Sequence, residues 1–191
     1  MCGRYHFGVD DNQIGKIIKQ RTKQLNLTYK TGEIFPNDKV LCIMNVGSKL
    51  DLAVKKWGIK NKTFQINARI ETIKDKNTYK GIKDNRCVLI CDGFYEWDEY
   101  KNKYLINFKE DYMYLAAIYN NDNELLIITK EANDLFKHIH NRQPLVLNLE
   151  EIKDYLLNKN MEIMDKEFVI NQVNEEISLF WCQVKILDSI L

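Results

Sequence analysis

RCVLICDGFYEWDEYKNKYLINFKEDYMYLAAIYNNDNELLIIT, residues 86–129, holds five apolar runs in close succession: Arg86–Cys91, Phe94–Asp98, Lys103–Phe108, Met113–Tyr119 and Leu125–Thr129. Each has strand length, and β-branched and aromatic side chains dominate. The links between them have two to five residues, too few for a crossover helix. Neighbouring strands joined so tightly pair antiparallel. Upstream, Lys39–Asn45 and Leu52–Ile59 also read as strands. Downstream, Pro144–Leu147, Phe168–Val173 and Trp181–Leu187 do too.

Helical signals are fewer. Ile14, Ile17, Ile18 and Leu25 recur at helical spacing over residues 12–27, with Asp11 or Asn12 as the cap. Glu131–His138 reads as a short helix. Asn148 followed by Glu151 forms a capping box for a helix to about Leu157. The polar stretch 67–83 reads as a loop with a short helix. The resulting fold class is α+β: a curved, mainly antiparallel β-sheet or barrel with peripheral helices. No repeat or linker divides the chain, so residues 1–191 are expected to form a single domain.

Composition narrows the setting. No run of 18 apolar residues exists to cross a membrane, and Met-Cys-Gly-Arg-Tyr-His-Phe has no secretory core. A cytoplasmic protein is expected, a monomer. Five cysteines, an odd number, are scattered at 2, 42, 87, 91 and 182, which argues against a disulfide framework. Cys87 and Cys91 lie in an apolar run without a second pair, so buried thiols are preferred over a zinc site. His138 and His140 find no third ligand. No metal or cofactor is expected. The net charge of +1 hides an uneven distribution. Between Lys55 and Arg86, ten basic residues face three acids, a surplus of +7; between Asn148 and Ser178, eight acids face three lysines, −5. The basic stretch can neutralise phosphates or can be a solvated lysine-rich surface.

Cys2 is the sharpest chemical feature. Removal of Met1 exposes an α-amine beside a thiol, a 1,2-aminothiol that only an N-terminal cysteine provides. Such an amine, with a pKa of about 7.7–8.0, is partly neutral near pH 7. It attacks an aldehyde to give a Schiff base, and the thiol then closes a thiazolidine ring.

Four segments in order resemble the SRAP family, the abasic-site processing proteins. They are Met1-Cys2-Gly3-Arg4-Tyr5; Trp57-Gly58 with Asn67-Ala68-Arg69-Ile70-Glu71-Thr72; Asp92-Gly93-Phe94-Tyr95-Glu96-Trp97; and Ile127-Ile128-Thr129 with Ala132-Asn133 and Ile139-His140-Asn141-Arg142-Gln143-Pro144. The resemblance spans nearly the whole chain. It implies a catalytic group of Cys2, Asn67, Glu96 and His140, and a single-stranded DNA partner containing abasic sites, with the protein on the nucleoid when bound. Asn67 would orient the Cys2 amine; alone it reads as a loop or capping residue. Glu96 would shuttle protons; alone it is the polar member of an alternating strand. His140 would protonate the sugar ring oxygen and open the closed abasic sugar, since an imidazole titrates near neutral pH. Alone it is a structural histidine. Arg4, Arg69 and Arg142 are candidate phosphate contacts, or structural ion pairs. Pro36 and Trp57 would sit near the nucleotide cleft by the same analogy.

Some positions depart from the family's pattern. The link from Ile59 to Ile66 is short and has Phe64 as its sole aromatic, where relatives have a longer Pro-Trp element. Glu33, Gln143 and Ile90-Cys91 stand where Asn, Met and Pro-Ala are usual. Two other readings stay open: an N-terminal-nucleophile amidohydrolase such as a glutaminase, and a non-covalent single-stranded DNA-binding module.

Overall fold

The computed structural model describes residues 2–47, 49–108, 112–159 and 166–173. The proposed strand at 181–187 lies outside them. Chain order runs β1 (Arg4–Phe7), α1 (Gln13–Gln24), β2 (Gly32–Ile34), β3 (Lys39–Val46), β4 (Lys49–Trp57), β5 (Ile59–Lys60), β6 (Phe64–Gln65) and β7 (Asn67–Arg69). It continues with β8 (Arg86–Cys91), β9 (Gly93–Trp97), β10 (Lys103–Asn107), β11 (Met113–Tyr119), β12 (Glu124–Glu131), β13 (Arg142–Pro144), β14 (Val146–Leu147), α2 (Leu149–Leu156) and β15 (Val169–Gln172). Single 3-10 turns at Ile70–Thr72 and Asn77–Tyr79 break the long loop after β7.

The five runs of residues 86–129 are β8 to β12, at nearly the expected boundaries. Strands β12, β4, β3, β8 and β11 pair in that order, and β11 returns to β12, so the ladder closes on itself as a small barrel. Closure removes the sheet's edges. It also explains why β8 and β11 are buried almost throughout rather than alternating: their inner face fills the barrel and α2 covers part of the outer face. Tyr155 of α2 donates its hydroxyl to Ala117 O at 2.8 Å, and Arg86 donates to Tyr155 O at 3.1 Å.

A second sheet, β15-β10-β9-β1-β2, is wholly antiparallel. Asp92, between β8 and β9, is the corner joining it to the barrel. Its amide donates to His6 O at 2.9 Å, and its carboxylate meets His6 Nδ1 at 2.7 Å and accepts the Gly8 N–H at 2.8 Å. The next residue has to be glycine: a Cβ on Gly93 would lie 2.8 Å from Ile106 O on the adjacent strand. One core of buried side chains runs through both sheets, with Trp57, Tyr5, Phe7, Phe94, Phe136 and Met113 among the largest. Each such side chain contributes about 1.5–3 kcal/mol by leaving water.

The caps fall where the sequence puts them. Asn12 accepts the Gly15 N–H at 2.7 Å, and Asn148 and Glu151 form both bonds of the capping box. Two expectations are corrected. Ile17 is 59 % exposed, because the buried stripe of α1 follows Gly15, Ile18 and Thr22 instead. Residues 131–138 form no helix: Glu131 stays in β12, paired with Arg142, and residues 134–139 are turns. The Asn133 side chain accepts the Phe136 N–H at 3.1 Å, and the Asn133 amide donates to Gln143 Oε1 at 2.9 Å. These local bonds compete with helical ones. Among the described residues no helix is long and apolar enough to cross a membrane.

Candidate active site

Cys2 enters just before β1, and the strand explains its burial. Tyr5 and Phe7 point inward from β1, paired with Ile34 on one side and Phe94 on the other, and Cys2 is fully buried beside them. Its thiol donates to Arg4 O at 3.9 Å, and Asn67 Nδ2 donates to Cys2 O at 2.9 Å. Asn67 reaches this carbonyl because β7 runs parallel to β12 in register Asn67↔Ile127, bringing the 67–72 segment to the N-terminus of the chain. The other amide atom, Asn67 Oδ1, is buried and has no hydrogen-bond partner among the described residues. An acceptor held in that state is suited to a donor absent from the structure, such as an amine or a substrate hydroxyl.

Glu96 lies on the inner side of β9, only 5 % exposed, opposite Tyr104. Burial pushes the Cys2 thiol up to about 12, and the nearby Glu96 charge adds to the shift. At neutral pH the thiol is therefore protonated, and a carboxylate stands close enough to feel its charge. Cys2, Asn67 and Glu96 thus form one group. His140 follows the 134–139 turn: its N–H donates to Phe136 O at 3.1 Å, and its Nδ1 accepts the Arg142 N–H at 2.9 Å. A ring nitrogen that accepts carries no proton, so this bond assigns the neutral ring's proton to Nε2. Scaffold links His140 to the Cys2 group: it precedes β13, which pairs with β12, the strand that also carries β7.

The candidate DNA contacts separate sharply. Arg4 is part-exposed on the outer face of β1; its guanidinium lies 4.5 Å from the centre of the Phe35 ring and 5.0 Å from that of Trp97, and 3.3 Å from Glu33. Arg69 is exposed at the end of β7. Pro36 is half-buried at the corner of the Phe35–Asp38 turn, where Asn37 takes φ +80°. Trp57 is fully buried, with its indole N–H on Ile66 O at 3.0 Å and its ring against Tyr5, so it is a core residue with no face for a base. Arg142 is also enclosed. It donates to both Glu71 oxygens at 2.8 and 2.9 Å and to Thr129 O at 2.8 Å, which leaves its guanidinium no open face for a phosphate.

Three features escaped the sequence reading. Lys103 stands over the Tyr95 ring at 4.0 Å and bonds Glu33 at 2.9 Å, extending the Arg4 ledge across β9 to β10. Partial burial works to raise the Glu33 carboxyl, but the bonds from Lys103 and Arg4 outweigh it and hold the group below its ordinary value. The i, i+2 spacing of Tyr95 and Trp97 was the available signal, since such residues share a strand face. Phe64, 45 % exposed, lies over Gly58, where a Cβ would come 2.3 Å from the ring.

This arrangement has relatives. The model of the SOS response associated peptidase (SRAP) family matches residues 1–186. The chain belongs to the SRAP family. It is 29 % identical over 185 residues to the abasic site processing protein YoqW of Bacillus subtilis, covering 85 % of this chain and 83 % of that one. It is 30 % identical over 190 residues to the abasic site processing protein YoaM of the same organism, covering 84 % and 81 %. A crystal structure of a protein from Bacteroides thetaiotaomicron superposes with a TM-score of 0.71 at 18 % identity, over 92 % of this chain and 93 % of that one. That likeness shows a shared fold. All four segments of the SRAP resemblance fall in the described residues, from Cys2 onward, and three of them meet at Cys2 or flank it through β7 and β9.

Proposed function

We propose that this protein captures abasic sites in single-stranded DNA covalently, as a monomer, through Cys2 after removal of Met1. The observation that carries the reading is the bond from Asn67 to the Cys2 carbonyl, which fixes the first residue of the processed chain beside a buried carboxylate. The relatives' name, abasic site processing protein, gives the substrate class.

The chemistry follows from which groups are ionised. His140 assists opening of the closed sugar by acting on its ring oxygen, freeing the aldehyde. The Cys2 amine attacks the aldehyde carbon, water leaves, and an imine forms. The thiol sulfur then attacks the imine carbon; Glu96 takes the thiol proton and returns one to the imine nitrogen, giving a thiazolidine. A thiol pushed up to about 12 is a poor first nucleophile, since the thiolate is the reactive form. This favours amine attack first and weakens the amidohydrolase reading, in which the thiol must lead. Removal of Met1 by the protein itself and lyase-like Schiff-base chemistry belong to the same proposal.

Denaturing electrophoresis tests it. Protein mixed with abasic single-stranded DNA is expected to give a heat-resistant shifted band that intact DNA does not give. A complex that dissolves under denaturation would leave the non-covalent binding reading; hydrolysis of glutamine with no shifted band would favour the amidohydrolase.

A further inference from the structure

Arg142 is a guanidinium whose side chain is 9 % exposed, and nearly all of its bonds lead to one place. Nη1 and Nη2 grip the two Glu71 oxygens, and Nη2 also reaches Thr129 O at 2.8 Å and Thr129 Oγ1 at 3.3 Å. Glu71 Oε1 accepts the Glu131 N–H at 3.1 Å as well. Thr129 has two ladder partners, Arg69 in β7 and Pro144 in β13, so β12 is a spine with β7 on one edge and β13 on the other. The Glu71–Arg142 pair therefore bridges that spine. It ties the segment that begins with Asn67 to the segment that begins with His140. A bidentate carboxylate–guanidinium pair fixes orientation as well as distance. The backbone of the same Arg142 donates to His140 Nδ1 at 2.9 Å.

We propose that Glu71 and Arg142 are positioning residues, a clamp that holds the Arg142 amide against His140 Nδ1 and so keeps the imidazole proton on Nε2, facing the sugar. The inference rests on the abasic-site reading of His140. It assigns Arg142 to the geometry of capture rather than to DNA affinity, because an enclosed guanidinium has no open face for a phosphate. It gives Glu71, outside the catalytic group, a function of its own. Loosening the clamp frees His140 to take the other tautomer and drift from the ring oxygen, and a misplacement of about 1 Å can cost roughly 100-fold in rate.

The experiment uses Glu71→Gln, which keeps the shape and removes the charge, and Arg142→Lys, which keeps the charge and removes the fork. Three quantities are measured: the His140 ring nitrogen shifts by NMR, single-turnover capture of a natural abasic site and of a simple open-chain aldehyde, and affinity for intact single-stranded DNA. The intact protein is expected to show an Nε2–H ring, and both variants a mixture of tautomers. Capture of the natural site is expected to slow by about 10- to 100-fold, while open-chain capture and DNA affinity stay at the parent level. Loss of affinity in Arg142→Lys with an unchanged tautomer would overturn the clamp in favour of a phosphate contact. Parent-level tautomer and rates in both variants would overturn it outright. If Arg142→Lys does not fold, Glu71→Gln alone carries the same outcomes. If the parent protein captures no abasic site, the abasic reading falls, and the tautomer measurement still decides the clamp.

Discussion

The two faces of β1 and β9 carry opposite kinds of chemistry. On the inner face, Tyr5, Phe94 and Glu96 surround Cys2, water is excluded, and the thiol is held neutral. On the outer face, Arg4, Tyr95 and Trp97, with Lys103 and Phe35 beside them, form a part-exposed ledge of cations over rings, and Glu33 neutralises it in part. Alternation along a strand makes this possible, since neighbouring residues face opposite ways. The three residues Tyr95-Glu96-Trp97 thus serve both faces, and a slip of one residue would bury a tryptophan and expose the carboxylate. The difference teaches that affinity and reaction are separable here: an outer-face change alters DNA binding, and an inner-face change alters capture.

Cys2→Ser breaks the inner face most severely. It keeps an amine and loses the thiol, so an imine can form but no ring. No heat-resistant adduct is expected without a reductant; a stable one would contradict ring closure. Glu96→Gln is next. It is expected to slow capture of natural and open-chain aldehydes alike by about 100- to 10,000-fold in single-turnover assays, with DNA affinity unchanged. Unchanged rates would remove Glu96 from the reaction.

The outer face is tested by affinity. Trp97→Ala is expected to weaken single-stranded DNA binding by about 1–3 kcal/mol, the usual cost of one lost stacking platform, without slowing capture at saturating DNA. Glu33→Gln sharpens the contrast by acting in the opposite direction. It frees Arg4 and Lys103 for phosphate, so affinity should rise modestly and the salt dependence steepen by about 0.7 per added contact. An affinity that fell would mean that Glu33 organises the ledge instead of blocking it.

The smallest effect is expected far from both faces. Arg21 of α1 grips Asp51 of β4, and that bond holds the Asp51 carboxyl down at about 2. A carboxylate with a depressed folded pKa stabilises the fold above its unfolded value of about 3.9, and the contribution disappears as pH falls through about 2. Asp51→Asn should lower the melting temperature slightly above pH 4, with the gap to the parent protein closing by pH 2. Capture and DNA affinity should not move.

The long apolar strands were legible in the sequence because their pattern is dense and their links short. The caps at Asn12 and Asn148 were legible because they depend on a few adjacent residues. Strands β1, β2 and β7 were not, since three or four residues give no period to count; pairing with β9 and β12 defines them. Glu131–His138 misled because Asn133 makes turn bonds that no periodicity reveals. At the site, Cys2, Asn67 and Glu96 were legible through their chemistry and the family segments. Trp57 and Arg142 were misread as surface contacts, because the identity of a side chain does not say which way it faces. Trp57 is walled in by Tyr5, and Arg142 is drawn inward by Glu71, which is far from it in sequence.

Intact mass spectrometry of the protein after mixing with abasic single-stranded DNA tests the central claim most directly. The account expects a single adduct whose mass is the chain without Met1 plus one DNA strand minus one water, absent when Cys2 is replaced by Ser and the sample is heated. An adduct that still contains Met1, or unmodified protein beside intact abasic DNA, would contradict it.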